Sequence, residues 1–477
     1  MSEPGTLPVF AVLGHPNEGK SSVLSTLVED DRIGVDRTPG TTRACLPYTV
    51  EAGGKAVIRF VDTPGFEHPE GVLAWLEDHG VEGPEGIAAF RRAKASDERY
   101  ALDVELLKPV AAGTALLYVV DASRPVRAMD RTEMEILRRT GLPRLAVINA
   151  KTPEERYLED WKTAFRQQFN ALRVFNAHQA AYPERIGLLE ALKAIDPDWA
   201  RDLDTAITLM REERAERLRL AAGELVALVR QACAHRVTGP LPEDPRHEAK
   251  LRDQLDKRYQ DDLRRFERGT RETLCRLFRH RVFQPQLPEE RVLNDDLFSR
   301  RTWSFLGLDK RQLTWAGAVG GAVTGAAGDA IFGGVSLGLW AAVGAVAGAA
   351  GVWTQGQRLA SVQVQKIPLG GRELALGPNH NPQFPFILLD RGLILLDALA
   401  HWSHARRNLS GGPEETEAAP VRANNPSRQL PDSLVRQIAA LSRQAARDQS
   451  AALEETERAA AEALAAWLPD FLGESEA

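Results

Sequence analysis

Short apolar runs alternate with helical patterns over the first part of the chain. Each run holds four to six mostly apolar residues, and apolar positions between the runs recur at helical spacing. This alternation is typical of a parallel sheet with crossover helices, so it predicts an α/β domain over residues 7–196. The runs predicted as strands are residues 9–13, 56–61, 115–120, 145–148 and 172–175.

A long connection follows the second of these strands. Residues 66–110 carry apolar positions at helical spacing, among them Val72, Leu76 and Phe90. A connection of this length is uncommon unless it has secondary structure of its own. We therefore expect a helical insert at about 66–110.

The pattern changes after residue 200. Apolar residues then recur in steps of three and four within Arg- and Glu-rich sequence, which predicts long helices that pack as an antiparallel pair. Beyond them we expect a Gly/Ala-rich helical hairpin, a small α+β part and a last helix. The predicted segments are a long-helix domain at 201–310, the hairpin at 311–356, the α+β segment at 357–408, a linker at 409–430 and the C-terminal helix at 431–470.

The Gly/Ala-rich stretch at residues 313–353 is almost uncharged, with Asp329 as its one acidic residue. Glycines recur every four residues, and cations such as Lys310 and Arg358 flank the stretch. These features predict a hairpin that enters or docks on the cytoplasmic membrane, with the rest of the chain in the cytoplasm. The alternative is a buried soluble hairpin, because Gly and Ala are weakly apolar and a carboxylate is costly in lipid.

Composition adds little beyond this. The 477 residues are 43% hydrophobic and 26% charged with a net charge of −6, which argues against a general nucleic-acid binder. The three cysteines are widely spaced and include no CxxC pair, so neither a disulfide framework nor a zinc site is expected. A reducing, cytoplasmic setting is consistent with this usage.

Residues 14–21, GHPNEGKS, satisfy the GxxxxGK[ST] pattern between a predicted strand and a predicted helix. Backbone amides of such a loop surround phosphates at a helix N-terminus. Lys20 should contact the β- and γ-phosphates, and the Ser21 hydroxyl should bind Mg²⁺. The predicted nucleotide-contacting residues of this segment are Gly14, Asn17, Glu18, Gly19, Lys20, Ser21 and Ser22.

A second phosphate motif, DTPG, follows the strand at 56–61. Asp62 is expected to hold Mg²⁺, and the Gly65 amide to sense the γ-phosphate. Between the two motifs, the segment TPGTTR at 38–43 offers threonine hydroxyls that can complete the Mg²⁺ shell. We predict it to be the first switch.

The segments GHPNEGKSS, TPGTTR and DTPGF, in this order, resemble the Era/TrmE-like branch of translation-factor-related GTPases over about the first 195 residues. The resemblance implies Thr42 as the Mg²⁺ ligand, with Thr41 second, so the predicted catalytic residues are Lys20, Thr42 and Gly65 and the predicted metal ligands Ser21, Thr42 and Asp62. The whole chain also resembles bacterial GTPases whose C-terminal half is a domain of unknown function, including the segment NHNPQFPF at 379–386.

Guanine recognition departs from the branch's NKxD pattern. After the strand at 145–148 the sequence reads Asn149, Ala150, Lys151, Thr152, which lacks the aspartate. The resemblance implies base contacts from Asn149 and Lys151, and from Asn176 and Ala177 after the last strand. Glu154 or Glu155 could replace the missing carboxylate, and the alternative is an ordinary acid at a helix start.

Phe66 stands where some GTPases carry a water-orienting glutamine. Catalysis then needs another group, such as a bound K⁺, a second protomer or a partner's residue. Asn17 occupies the position that helps hold K⁺ in potassium-stimulated relatives, and its alternative role is to brace the loop. For Phe66 the alternative is packing under the switch.

These observations predict hydrolysis of GTP to GDP with Mg²⁺, with GTP and GDP as ligands and a switch state coupled to a membrane-associated helical region. Two alternatives stay open, a soluble RNA- or ribosome-associated assembly GTPase and a nucleotide-gated scaffold with little turnover. A homo-oligomer is a further candidate partner arrangement, and the effector is not indicated by the sequence.

Overall fold

A computed structural model describes residues 7–15, 18–29, 42–150, 156–176, 182–279, 297, 362–366, 372–401, 425–447 and 450–475. The chain divides into two compact units. The first contains residues 1–216 with short later pieces, and the second contains most of the remainder.

The first unit is built on a six-stranded sheet in the order β2-β3-β1-β4-β5-β6. Neighbouring strands are parallel except for β2 and β3, which are antiparallel. The strands are β1 (Val9–Leu13), β2 (Leu46–Ala52), β3 (Lys55–Asp62), β4 (Ala115–Asp121), β5 (Arg144–Asn149) and β6 (Ala171–Phe175). The predicted α/β class is confirmed.

Helices cover both faces of this sheet. Along β1, Phe10 and Val12 join the core on one face, while Ala11 and Leu13 join the core on the other. Strands buried on both sides explain why the apolar runs are continuous rather than alternating. The helices are α1 (Lys20–Val28), α2 (Pro69–Asp78), α3 (Gly83–Ala93), α4 (Ala101–Ala111), α5 (Ala128–Arg139), α6 (Leu158–Arg166) and α7 (Tyr182–Ile195).

The long connection after β3 is helical. Helices α2 and α3, a short 3₁₀ turn at Glu98–Tyr100 and α4 fill the connection between β3 and β4. Phe90 packs edge-on against both Trp75 and Tyr100, which ties the elements of the insert together. Strand β2, which was not predicted, lies antiparallel to β3 at the edge, so the sheet is mixed rather than wholly parallel.

The second unit combines long helices with a small sheet. Helix α8 (Ala200–Ala234) begins in the first unit, and its later part faces α9 (Pro245–Leu277). Thr270 donates to Glu224 at 3.0 Å, and Arg217 lies 5.9 Å from the Phe278 ring. Later residues of one helix thus meet earlier residues of the other, which confirms an antiparallel pair.

Three antiparallel strands form the small sheet, in the order β7-β9-β8. They are β7 (Val237–Pro240), β8 (Val362–Lys366) and β9 (Arg372–Leu376). A small α+β segment was predicted at 357–408, whereas β7, which precedes it in the sequence, was not predicted. Pro240 ends β7.

Helix α10 (Phe384–His401) is buried along most of its length. Its charged residues have partners, since Asp390 accepts bonds from the backbone N and hydroxyl of Ser427, and Arg391 pairs with Glu267. Where one C-terminal helix was expected, two helices pack against each other, α11 (Asp432–Arg447) and α12 (Ser450–Phe471). Arg230 on α8 pairs with Glu457 on α12 at 2.8 Å.

The predicted membrane hairpin at 311–356 lies outside the described residues, as does most of the predicted linker at 409–430. Within the part of the chain that the structure describes, no helix is both long and apolar enough to cross a membrane. The proposed domain boundaries stay predictions.

Candidate functional site

The phosphate loop connects β1 to α1 and opens directly onto the start of that helix. Gly14 and Gly19 adopt φ values of 139° and 89°, a region that favours glycine. A Cβ on Gly14 would lie 2.2 Å from the carbonyl oxygen of Val119, so a side chain does not fit at that position. Pro16 and Asn17 lie outside the described residues.

Lys20 is the first residue of α1, and its side chain folds back over the loop. Its ammonium group donates to the carbonyl oxygens of Gly14 at 2.9 Å and His15 at 3.1 Å. Burial lowers the pKa of Lys20, and the nearby Asp62 carboxylate opposes that shift. The arrangement holds a cation where the loop would receive phosphates. Ser22, two residues later, is buried.

Three oxygen-bearing side chains converge beside Lys20. The hydroxyls of Ser21 and Thr42 donate to Asp62 Oδ2 at 3.4 Å and 3.3 Å, so Thr42, the start of α1 and the end of β3 meet at one carboxylate. Burial raises the pKa of Asp62, whereas the Lys20 charge lowers it. Within the described part of the chain, Asp62 Oδ1 is buried without a hydrogen-bond partner. Two hydroxyls and a carboxylate are the hard donors that Mg²⁺ prefers, so these residues fit that ion. Thr41 lies outside the described residues.

The segment after β3 is anchored beneath the loop. The Thr63 hydroxyl donates to the carbonyl oxygen of Val12 at 2.7 Å, which holds the start of DTPG against β1. Gly65 follows at partial exposure, and the Phe66 side chain is buried in the apolar core with Val72 and Leu76. Phe66 therefore packs under the switch, as one of its two interpretations required.

The candidate base side lies where β5 and β6 end. Asn149 is paired with Phe175 across these strands, and the Ala150 amide donates to Phe175 O at 3.1 Å, which brings Asn149 near Asn176. The Asn149 side-chain amide donates to Glu18 O at 3.4 Å and packs where a Cβ on Gly19 would stand. Asn149 thus braces the phosphate loop. Lys151, Glu154, Glu155 and Ala177 lie outside the described residues.

A buried charge cluster surrounds Glu18, and sequence analysis did not find it. The Glu18 carboxylate accepts from the Asp121 amide and from Arg124 Nε, the latter at 2.6 Å. Arg124 also holds Asp130 of α5 with two bonds of 2.7 Å. Burial raises the pKa of Glu18, and the Arg124 charge opposes the shift. The cluster ties the phosphate loop to the end of β4 and to α5.

A second polar chain begins at His15. Its Nδ1 lies 3.3 Å from Glu133 Oε1, and the Tyr118 hydroxyl donates to Glu133 Oε2 at 2.7 Å. Glu133 is fully buried, and burial raises its pKa. Glu133 lies 118 positions after His15 in the sequence, so no local pattern could have indicated this contact.

Two protein families match parts of this chain. Residues 162–468 match the family described as a domain of unknown function, DUF3482. The chain belongs to this family. Residues 9–150 match the family described as 50S ribosome-binding GTPase, and the N-terminal part of this DUF3482 protein is accordingly a P-loop GTPase domain.

Two curated relatives resemble that N-terminal part. GTPase Der of Maridesulfovibrio salexigens is 30% identical over 142 residues, which are 29% of this chain and 26% of that protein. The tRNA modification GTPase MnmE of Heliobacterium modesticaldum is 32% identical over 128 residues, 26% of this chain and 27% of that protein. The DUF3482 protein thus spans about a quarter of the length of the curated relatives it matches.

Among solved structures, Era in complex with MgGDPNP and a segment of 16S ribosomal RNA shares 22% identity. The match covers 36% of this chain and 51% of that one, with a TM-score of 0.28.

Proposed function

We propose that the DUF3482 protein is a Mg²⁺-dependent GTPase whose turnover is controlled by the segments around Thr42 and Gly65. The observation that carries the proposal is the convergence of Ser21 and Thr42 on Asp62, beside the buried Lys20. Lys20 would bind the β- and γ-phosphates, and the Gly65 amide would respond to the γ-phosphate. Mg²⁺ bound by Ser21, Thr42 and Asp62 would neutralise phosphate charge.

The proposal includes a preference for guanine, although the sequence lacks the NKxD aspartate. Asn149 supports it through the position that it takes beside the phosphate loop, and Lys151, Asn176 and Ala177 are the further candidates. The test is equilibrium competition by GTP and ATP against a fluorescent GDP on the full chain with Mg²⁺. GTP should compete better, and equal competition by ATP would remove the guanine assignment.

Potassium is a proposed source of added positive charge, since the buried Phe66 has no group that orients water. The proposal rests on Asn17 in the sequence alone. Hydrolysis measured in matched KCl and NaCl series, with Asn17→Ala beside the wild type, tests it. A rate that is higher in KCl only when Asn17 is present supports the proposal, whereas equal rates in the two salts contradict it.

A ribosome-associated role is the second candidate function, and the family description for residues 9–150 favours it. Sedimentation of the full chain with ribosomal subunits, in GDP and in a non-hydrolysable GTP analogue, tests this role. Nucleotide-dependent co-sedimentation would support it, and an absence of binding in both states would exclude it.

Coupling to the cytoplasmic membrane is a proposal that rests on the Gly/Ala-rich sequence at 313–353 alone. Fractionation of cells that express the full chain, or a version without 313–353, distinguishes this role from the ribosomal one. Recovery of the full chain only in the soluble fraction would exclude the membrane role. Light scattering of the purified full chain tests whether the protein is a homo-oligomer.

A further inference from the structure

Helix α4 is the last helix of the insert. It contacts two segments, the one that follows Gly65 and the one that follows Thr42, and these two residues are the candidate sensors of the γ-phosphate. On one side, Asp103 binds the segment that follows Gly65. Asp103 Oδ1 accepts from the Glu67 amide at 3.0 Å and the His68 amide at 3.3 Å, and Oδ2 accepts from His68 at 3.2 Å. The carboxylate therefore fixes the backbone two and three residues after Gly65.

On its other side, α4 binds the segment that follows Thr42. Glu105 Oε1 accepts from the Cys45 amide at 2.9 Å, and the Glu105 carbonyl oxygen accepts from Cys45 Sγ at 3.0 Å. Cys45 immediately precedes β2 and stands three residues after Thr42. Side chains two positions apart on a helix point about 200° apart. Helix α4 therefore stands between the two segments.

The chemistry of Asp103 indicates a task other than packing. Its side chain is fully buried, although an apolar residue would fill the same space without the cost of burying a carboxylate. Burial raises the pKa of Asp103, and the bonds from Glu67 and His68 lower it. Hydrogen bonds to a charged acceptor are roughly twice as strong as neutral ones, so this side chain restrains the backbone more firmly than an apolar contact would.

The rest of the insert is attached to α4. Arg91 of α3 donates from Nε to the carbonyl oxygen of Val104 at 2.8 Å, and Tyr100 at the start of α4 packs edge-on against Phe90. A displacement of α4 would therefore be transmitted to α3.

We propose that Asp103 is a positioning residue for γ-phosphate sensing, which holds the backbone after Gly65 so that the glycine amide is placed for the triphosphate, and that α4 couples this segment to the one after Thr42. The proposal rests on the GTPase function proposed above. The expected effect is selective for the triphosphate, because the hydrogen bonds that Asp103 accepts come from the segment after Gly65 and none comes from the described residues of the Lys20 loop.

The test compares affinities for GDP and for a non-hydrolysable GTP analogue in full-length wild type, Asp103→Ala and Asp103→Asn. The alanine variant should lose about tenfold in analogue affinity and change less than about twofold in GDP affinity, with a lower kcat. Asp103→Asn keeps a carbonyl oxygen that can accept one of the bonds, so it should recover part of the loss. Asp97→Ala is the matched control, because Asp97 makes the same kind of bond to a backbone amide, that of Arg99, elsewhere in the insert.

The proposal would be overturned if Asp103→Ala lost the same affinity for GDP as for the GTP analogue. It would also be overturned if both Asp103 variants kept the wild-type ratio of analogue affinity to GDP affinity. If Asp103→Ala does not fold, Asp103→Asn decides, and an unchanged ratio in that variant overturns it. Failure of the GTPase function itself gives a different result, since the wild type would then bind neither nucleotide.

Discussion

Thr42 and Asp62 come from separate segments of the first unit, yet the Thr42 hydroxyl lies 3.3 Å from Asp62 Oδ2. The same oxygen accepts from Ser21 at 3.4 Å. Replacing either hydroxyl should remove one oxygen donor from the proposed Mg²⁺ site. The variants Ser21→Ala and Thr42→Ala should therefore raise the Mg²⁺ concentration for half-maximal GTP hydrolysis by about tenfold, equivalent to about 1.4 kcal/mol.

A magnesium titration of the hydrolysis rate measures this shift. Thr132→Ala is the control, because its hydroxyl donates to Ala128 O on the exposed side of α5, away from the site. An unchanged magnesium requirement in both site variants would contradict the assignment.

Lys20 is the second target. Lys20→Ala removes the buried cation over the phosphate loop and should weaken binding of GTP and GDP by on the order of ten- to a hundredfold. Isothermal titration with each nucleotide provides the measurement. Lys55→Ala, at the exposed start of β3, should leave both affinities unchanged. Wild-type affinity in Lys20→Ala would rule out the proposed phosphate site.

The Glu18 cluster should control stability. Arg124→Ala leaves Glu18 and Asp130 buried without their shared cation, and breaking a buried pair from one side costs about 3–5 kcal/mol. Urea denaturation should show a loss of this order. Arg138→Ala breaks an exposed pair with Glu135 on the same helix and should change stability little. If the two variants lost similar free energies of unfolding, the buried cluster would stabilise the fold no more than the exposed pair does.

The buried Glu133 should make the stability of the fold depend on pH. Its pKa in the folded state is raised above 4.5 by burial, so its contribution to stability is fully present below pH 4.5 and is lost as pH rises through the folded-state pKa. Glu133→Gln cannot ionise and keeps an acceptor for the Tyr118 hydroxyl. Its stability relative to the wild type should therefore increase as pH rises from 4.5.

Urea midpoints from pH 4.5 to 8 measure this trend. Glu159→Gln, at an exposed glutamate whose pKa is lowered by Lys162, should show no such gain. A constant difference between Glu133→Gln and wild type across the range would contradict the prediction.

The sequence predicted β1, β4 and β5 well because these strands are apolar and buried on both faces. It missed β2, whose exposed edge position mixes Tyr48 and Thr49 with polar residues and so gives no apolar run. It also missed β7, four residues long and ended by Pro240. A short strand that depends on a distant partner for its hydrogen bonds leaves little local signal.

The candidate phosphate and metal residues could be proposed from sequence because they belong to contiguous motifs with fixed spacing. The Glu18 cluster could not, since Arg124 is 106 positions from Glu18 and the contact depends on the fold. The same holds for Asp103, which contacts Glu67 across 36 positions. Contacts between side chains that are distant in sequence require the structure, whereas contiguous motifs can be recognised in the sequence.

The pairing of Arg230 with Glu457 joins residues 227 positions apart, and that of Arg391 with Glu267 spans 124. Contacts this distant in sequence cannot form until late in synthesis, and high contact order slows folding. While the ribosome makes the chain, α8 and α9 therefore lack these partners until α10 and α12 have emerged. During that interval the incomplete second unit is prone to aggregate, so the yield of folded protein in cells should depend on the supply of chaperones.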